Sequence, residues 1–378
     1  MKIRAASSGL TLVELLVAMA IGLVMALAAT QVIVHGMRGK RVTVSVNDVN
    51  QTAAFLSTTI DRVVRGAGAG FAMTPQVLGC ALRAGRDAAV LWPRAGSWPD
   101  PFGALPVLPR LAPVVVHADA STAGSDVLAV MSGNAGIGDA PTSVLPASAT
   151  ASSVRLNNTH GFIGNDLVLV QDAGLGCLLE QVSAGFTGGT AQTLTFGGAY
   201  AEDAVDGVEL AWMGHSAAAQ VIRIGQAGAI NTPEFQFIGV GANNTLFAYD
   251  LMRLGPEDAS NPIAEGVIEL RAVYGIDSNG DNTLDTWVQP DASPWTAAEL
   301  SNGTAASQAN LQRIFAVRVG LLLRSAVQDP EDVAPASVVL FRDLPTTVQR
   351  TVSISSTNRK FRHRSVELTI PVRNVLPK

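Results

Sequence analysis

An apolar segment near the N-terminus is the feature that most constrains how this chain can fold. From Leu10 to Val34 the only charged residue is Glu14, and the basic residues Lys2 and Arg4 precede the segment. A helix of this length extends roughly 37 Å at about 1.5 Å per residue, which is enough to cross a bilayer with some tilt. Because positive charge comes before the segment, we expect a cytoplasmic N-terminus and a chain that continues on the other side of the membrane.

A secretory signal peptide, cleaved after Ala26-Leu27-Ala28, is the alternative interpretation of this segment. Two observations argue against it. A carboxylate costs about 2.5–3.5 kcal/mol near the centre of a bilayer, so Glu14 would be unusual in a segment that is removed. A helical pattern also continues beyond Ala28 instead of ending there.

An amphipathic pattern follows the apolar segment. Apolar residues recur there in alternating steps of four and three positions: Val42, Val46, Val49, Ala53, Leu56, Ile60 and Val63. The pattern predicts one continuous helix from about residue 10 to residue 65, ending in the glycine-rich run 66–70, where glycine can adopt the positive φ of a helix C-cap. We therefore expect a transmembrane half, residues 10–34, and an amphipathic half, residues 35–66, that packs on a soluble domain.

The remainder of the chain is predicted to be rich in β-strands. Hydrophobic residues make up 48% of the chain and charged residues 15%, with 36 glycines and 19 prolines, a balance that favours short strands joined by turns. Residues 67–116 are predicted to form a Pro- and Gly-rich connecting region, because the prolines between Pro93 and Pro113 disfavour long helices and central strands. Residues 117–378 are predicted to form a β-rich globular domain of one or two lobes.

Strand-like runs recur along this domain, and most are predicted to be half-buried antiparallel strands. The runs are 126–131, 166–171, 178–182, 193–196, 208–213, 221–224, 234–240, 246–251, 267–276, 313–324 and 365–372. A basic run, residues 359–364, precedes the last strand. It is predicted to be a solvated face or the protection of an edge strand, with contact to an acidic partner as the alternative.

The N-terminal residues resemble the class III signal of type IV prepilins and pseudopilins. They are a short basic leader that ends in Gly9, followed by Leu10, Thr11 and, three residues later, Glu14. Leucine replaces the commoner phenylalanine at the first mature position. The resemblance implies that residues 1–9 are a leader, that a prepilin peptidase cuts between Gly9 and Leu10, and that the new amine of Leu10 is methylated. It also implies that Glu14 is the fifth mature residue and acts with Thr11 in assembly.

The same resemblance implies an α+β type IV pilin-like fold, in which the long helix packs on a β-rich globular domain of antiparallel strands. In a filament built around such helices the carboxylate of Glu14 needs a partner, because an unpaired buried charge is strongly disfavoured. The free amine of Leu10 in a neighbouring subunit can supply it, and the pair would fix the axial position of an incoming subunit. A charge tolerated near the membrane interface is the alternative.

Further segments resemble PilW-type minor pilins. They are residues 59–65 followed by 67–71 and Cys80, the segment 273–287, and the basic run whose strand closes at 372–374. The resemblance implies a minor pilin that primes and caps type IV pili with other minor pilins, the major pilin and a large tip adhesin. Before assembly we expect it in the inner membrane with its globular domain in the periplasm, and afterwards in the pilus at the cell surface. A J-type pseudopilin of a type II secretion system is the alternative.

The sequence contains no catalytic motif that we can identify. The five histidines lack HxxxH or HExxH spacing, and there is neither a GxSxG nor a Walker loop, so we do not expect an enzyme. The formal net charge is −5 and there is no long basic tract, so nucleic acid is not expected as a partner.

One set of residues has a spacing suited to a metal: Asp277, Asn279, Asp281 and Asp285. Positions 1, 3, 5 and 9 of a DxNxDxxxD loop can place hard oxygen ligands around Ca²⁺, but the glycine and glutamate of an EF-hand at positions 6 and 12 are absent. A polar β-turn around the Asn-Gly pair is the alternative.

The cysteines, Cys80 and Cys177, are far apart and form no CxxC motif, which leaves free thiols or one disulfide open. Because the resemblance implies export, we predict a periplasmic Cys80–Cys177 disulfide. Closing so long a loop would stabilise the fold by roughly 4 kcal/mol in the chain-entropy model.

Overall fold

The long N-terminal helix, α1, has the extent that the sequence pattern predicts. A computed structural model describes residues 11–134, 140–228, 231–253 and 258–372 of the chain. Here α1 spans Leu12–Gly66, and Gly68 and Gly70 turn the chain after its end with φ angles of +80° and +81°. A Cβ atom on Gly68 would lie 2.7 Å from the Cβ of Ala72, so this position needs glycine for space as well as for conformation. The predicted continuous helix is confirmed.

Among the described residues, the C-terminal half of α1 packs on the body and the N-terminal half does not. Five members of the predicted apolar stripe are at most 5% exposed, whereas Val46 is 42% exposed and Val42 is only partly buried; the buried five are Val49, Ala53, Leu56, Ile60 and Val63. They join the main hydrophobic core. Because burying a Leu or Ile side chain contributes roughly 1.5–3 kcal/mol, this stripe holds the helix on the globular body.

Three larger sheets form most of the body. The six-stranded sheet has the order β2 (Ala89–Trp92), β1 (Leu82–Arg86), β8 (Gly176–Gln181), β7 (Asp166–Asp172), β12 (Gln220–Gln226) and β5 (Thr142–Ser143). The five-stranded sheet has the order β15 (Asn261–Glu265), β14 (Thr245–Asp250), β13 (Glu234–Gly241), β4 (Val127–Ser132) and β3 (Val114–His117). The four-stranded sheet has the order β17 (Thr286–Val288), β16 (Val267–Ile276), β18 (Ile314–Gln328) and β21 (Phe361–Pro371).

Smaller elements complete the body. The two-stranded sheets pair β6 (Ser153–Arg155) with β9 (Thr193–Thr195), β10 (Ala204–Val205) with β11 (Val208–Glu209), and β19 (Ser337–Leu340) with β20 (Arg350–Ser353). The short helices are α2 (Ala297–Leu300) and α3 (Ala305–Gln312). Among the described strands, β1 and β8 are parallel and the other named pairs are antiparallel. The α+β fold with a long helix on a strand-rich body is confirmed.

Strand β7 separates two hydrophobic cores. Leu167 and Leu169 point to the main core beneath α1, whereas Val168 and Val170 point to a second core that lies within residues 144–221. All seven residues of β7 are buried. The sequence predicts a half-buried strand here, but a strand between two cores has no solvent face, so both sets of alternating side chains are covered.

Two segments differ from the sequence-based expectation. The predicted connecting region, 67–116, contains β1, β2 and all but the last residue of β3, and β1 is paired on both sides, by β2 and β8. The run predicted as a strand at 208–213 contains only the two residues of β11, after which Leu210–Trp212 form a 3₁₀ turn. In both cases the elements are too short for alternation to distinguish a strand from a turn. Between Pro93 and Pro113 the described chain contains no strand, as the proline density predicts.

Cys80 and Cys177 form a disulfide bond in the structure, with their Cα atoms 5.8 Å apart. Their neighbours explain the pairing: Leu82 of β1 lies opposite Cys177 of β8, and the N–H of Cys177 donates to the carbonyl of Ala81 at 2.9 Å. The bond therefore fastens the start of the connecting region to the strand that borders the second core.

Candidate assembly site

The first half of α1 has no cover from the described part of the chain. Residues 12–33 have a mean hydropathy of 2.5, and all of their side chains are exposed. By length and composition this is the one described helix that could cross a membrane. Water is an unfavourable solvent for so large an apolar surface, so this half requires lipid or other helices around it.

Thr11 and Glu14 form a reciprocal capping box at the start of α1. The backbone N–H and the hydroxyl of Thr11 each donate to Oε2 of Glu14 at 3.0 Å, and the N–H of Glu14 donates to the hydroxyl of Thr11 at 3.3 Å. A carboxylate in the first turn also interacts favourably with the positive end of the helix dipole. The free subunit therefore gives Glu14 a local set of donors.

Glu14 keeps capacity for a further partner. Both donations from Thr11 reach Oε2, and Oε1 accepts no hydrogen bond from the described residues. A carboxylate can accept about four hydrogen bonds, so the cap and an incoming cation are compatible. Gly9 and Leu10, the predicted cleavage and methylation positions, lie outside the described residues.

The second half of α1 is fastened to the C-terminal sheet. Arg364 of β21 donates to the side-chain oxygen of Asn50, and β18 and β21 lie along the helix. Ser45 is 4% exposed, so the contact extends down α1 to that residue. The body and the second half of α1 therefore form one unit, and the first half of α1 projects from it.

The acidic loop brings together the carboxylates that the sequence selects as calcium ligands. One oxygen from each of Asp277, Asp281 and Asp285 lies within 4.8 Å of the others, and only Asp277 is buried. Asn279 turns its side-chain oxygen to the N–H of Asp281 at 2.8 Å. The loop thus has the convergence that a calcium site needs.

Hydrogen bonds within the loop already engage these carboxylates. Asp277 accepts from the N–H groups of Gly280 at 2.6 Å and Asn282 at 2.9 Å, and Asp281 accepts from the hydroxyl of Thr283 at 2.6 Å. Desolvation opposes ionisation of Asp277, but its backbone donors outweigh it and hold its pKa below the usual value. Both the polar turn and Ca²⁺ binding stay predictions.

Arg313 places a positive charge behind the acidic loop. Its Nε donates to the carbonyl of Asp277 at 2.7 Å, and its Nη2 donates to the carbonyl of Ser278 at 2.6 Å. These contacts tie the loop to the start of β18. They take up two carbonyl oxygens and offset part of the negative potential that would attract a cation.

The capping box is a feature of this site that we did not predict from the sequence. We assigned Thr11 to assembly because of the resemblance, whereas the structure gives it a local role as N-cap of α1. The signal is present in the sequence as Thr-x-x-Glu before an apolar run. The contact between Arg364 and Asn50 has no such signal, because 314 positions separate the residues.

Comparison with protein families matches the two ends of the chain. Residues 4–30 match the prokaryotic N-terminal methylation motif, and residues 237–374 match the family of type IV pilus-assembly protein W. The two matches support a PilW-like type IV pilin. The second match runs from β13 to β21 and includes the acidic loop. No curated protein and no solved structure matches the chain significantly.

Proposed function

We propose that this pilin is a minor pilin that primes type IV pilus assembly and enters the pilus with other minor pilins, near its tip. The observation that carries the proposal is the division of α1 into an uncovered apolar half and a half packed on the body. An uncovered apolar helix is stable in a bilayer and also in a bundle of similar helices. Such a subunit can pass from membrane to filament without refolding its body.

The starting orientation follows from charge and redox state. Lys2 and Arg4 favour a cytoplasmic N-terminus, which leaves the body in the periplasm. The Cys80–Cys177 bond agrees with this side, because disulfides persist in oxidising compartments. After transfer, the body would lie on the surface of the pilus, in contact with other minor pilins, the major pilin and a tip adhesin.

Glu14 would guide the transfer. In the free subunit Oε2 of Glu14 is held by Thr11, and Oε1 accepts no hydrogen bond from the described residues. The methylated amine of Leu10 in an adjacent subunit would pair with it inside the filament, where the low dielectric strengthens the attraction. Because each subunit carries one such amine and one such carboxylate, the pair sets a single axial register.

A chromosomal deletion tests this function, with the wild-type gene restored in trans as the control. We expect the number of surface pili per cell, counted by electron microscopy, to fall about tenfold or more, because priming precedes all elongation; twitching should fall with it. Secretion of type II substrates should be unchanged. A secretion defect with normal piliation would contradict the proposal and favour the J-type pseudopilin.

A further inference from the structure

The outer edge of β21 is a long edge of the body to which the proposed function assigns no role. Among the described strands it pairs only with β18, so it closes one side of the four-stranded sheet. The register between the two strands is continuous from Pro371 to His363, so β21 is regular along this stretch. A regular edge strand presents a row of unpaired backbone groups to any extended chain that approaches it.

Two hydrogen bonds reveal which backbone groups point outward. The N–H of Val372 donates to the carbonyl of Phe315 at 2.8 Å, and the N–H of Arg362 donates to the hydroxyl of Ser325 at 3.2 Å. Both acceptors lie on the β18 side. Because backbone direction alternates along a strand, even-numbered N–H groups face β18 and odd-numbered ones face away. Pro371, which has no N–H, lies at an outward position, as this alternation requires.

The outward donors are free in the described part of the chain. The N–H groups of His363, Ser365, Glu367 and Thr369 donate to no described residue, and the side chains of Ser365 and Thr369 are exposed. An incoming strand could therefore pair with four consecutive outward positions. Recognition of this kind takes its affinity from main-chain hydrogen bonds and its selectivity from neighbouring side chains.

The side chains at the start of β21 favour an acidic partner. Arg359 and Arg362 already pair with Asp332 and Asp329, each at 3.2 Å. Lys360 has no carboxylate partner among the described residues, and Arg364 bonds only to the neutral side chain of Asn50. Two cations are thus uncompensated beside the free edge, in a chain with a net charge of −5. They repel a basic strand and attract an acidic one.

A lipid surface is out of reach for Arg364 while α1 spans the membrane. Arg364 is level with Asn50, which lies 17 positions beyond Ile33, the end of the apolar span. That separation is roughly 25 Å along the helix axis, compared with a Debye length of about 8 Å at physiological salt. The partner of this edge is therefore a protein and not lipid, and it extends away from the membrane alongside α1.

We propose that the outer edge of β21 docks an extended, acidic strand of a neighbouring pilin subunit. The proposal rests on the proposed function, because it assigns one of the contacts that a minor pilin makes with its neighbours. The incoming strand pairs with β21 along residues 363–369 and so extends the four-stranded sheet. Its carboxylates then lie opposite Lys360 and Arg364. The partner's own helix then lies next to α1, since Asn50 ties α1 to this edge.

Photocrosslinking in the full-length chain, in cells, tests the contact. The probe is p-benzoylphenylalanine at Ser365, and the matched control is the same probe at Val90, which is 55% exposed on the edge strand β2. We expect the probe at Ser365 to give an adduct with a second protein that carries a class III signal, mapped to an extended segment containing Asp or Glu. Joint substitution Lys360→Glu and Arg364→Glu should reduce the adduct about 3- to 10-fold.

Two outcomes of the crosslinking would overturn the docking site. One is an adduct from Ser365 no stronger than that from Val90. The other is an adduct with lipid only, or with a protein that lacks the prepilin signal. An adduct that the double charge reversal leaves unchanged would remove the acidic partner from the proposal.

Proline substitution separates the backbone contact from the side chain. Ser365→Pro and Thr369→Pro each remove one outward N–H and no bond to β18, whereas Ser365→Ala keeps the N–H. We expect fewer pili with either proline variant and normal numbers with the alanine variant, with near-ultraviolet circular dichroism unchanged in all three. Folded proline variants with normal pili would reject the docking site. If deletion of the gene nevertheless abolishes pili, the proposed function stands without it.

Discussion

The lower half of α1, residues 12–33, and the globular body differ in what covers their apolar side chains. Both are rich in apolar side chains, but Leu12–Ile33 leaves all of them exposed, whereas the body, together with the second half of α1, buries most of its own. Apart from Glu14, Thr30 and Gln31, the side chains of the lower half are those of a core helix. In the body the covering side chains belong to the same chain, whereas the lower half of α1 needs lipid or other helices. We therefore expect substitutions in the body to change folding stability, and substitutions in the lower half to change only insertion and assembly.

The disulfide offers the largest test on the side of the body. Joint substitution of Cys80 and Cys177 by serine should lower the free energy of unfolding by roughly 4 kcal/mol, because the unfolded chain loses its crosslink. Denaturant unfolding of the full chain in detergent measures this. Dithiothreitol should destabilise the wild type to the same level and leave the variant unchanged. Equal stability of wild type and variant would show that the body does not depend on this bond.

A matched pair of leucines sharpens the comparison along α1 itself. Leu56 is fully buried and Leu23 is 65% exposed, on the same helix. Leu56→Ala should destabilise the body by about 2–5 kcal/mol, because it leaves a cavity in the core, and Leu23→Ala should not change its unfolding. The unfolding midpoint of the full chain in detergent measures both. A larger loss for Leu23→Ala would contradict the division of the helix.

Glu180 of β8 is a buried carboxylate that the body hydrogen-bonds poorly. It is fully buried, and neither carboxylate oxygen has a hydrogen bond of ordinary geometry in the described chain, although the backbone N–H of Glu202 lies near enough to oppose part of the pKa rise. Burial raises the pKa of Glu180 well above its usual value. The folded state therefore holds a proton that the unfolded state releases above about pH 4.5, so this group lowers stability as pH rises toward its folded pKa.

Glu180→Gln removes this pH dependence, because the amide does not ionise. We expect the variant to match the wild type below about pH 4.5 and to be about 1–3 kcal/mol more stable at neutral pH. Glu367→Gln is the control. Its carboxylate pairs with Arg318 at 2.6 Å, so that variant should be less stable at neutral pH. Parallel pH profiles for wild type and Glu180→Gln would show that Glu180 has solvent or a partner.

The acidic loop should show the smallest effect. Since Asp277, Asp281 and Asp285 already accept hydrogen bonds within the loop, we expect the thermal midpoint to change by less than about 2 °C when EDTA is added. Calcium titration of the full chain in detergent is the companion measurement. A midpoint that rises with Ca²⁺ in the wild type, and not in Asp281→Asn, would instead establish the metal site.

Local periodicity was sufficient to predict α1 and the long strands. The alternation at Val267–Ile276 gives β16 its observed bounds, and the steps of four and three give the stripe that α1 buries. Both patterns depend on one face being apolar. Strand β7 has two apolar faces, so its burial became clear only with the second core, which residues distant in sequence build around it.

Contacts between distant parts of the chain could not be predicted in this way. Arg364 and Asn50, or β1 and β8, meet because the topology brings them together, and neither composition nor spacing encodes the meeting. The residues predicted to act in assembly are different. Glu14 was singled out because a carboxylate is costly in an apolar segment, which is a local statement about solvent, whereas Thr11 was assigned through the resemblance to prepilins.

Substitution of Glu14 tests most directly whether the lower half of α1 is built for a filament. Glu14→Leu makes the span more apolar and removes the charge that would pair with Leu10 of a neighbour, and Glu14→Gln removes only the charge. Pili per cell are counted beside the amount of each variant in the inner membrane, with Leu23→Ala as the control. We predict that both variants insert at wild-type levels and that surface pili are lost. Wild-type piliation with Glu14→Leu would contradict the account.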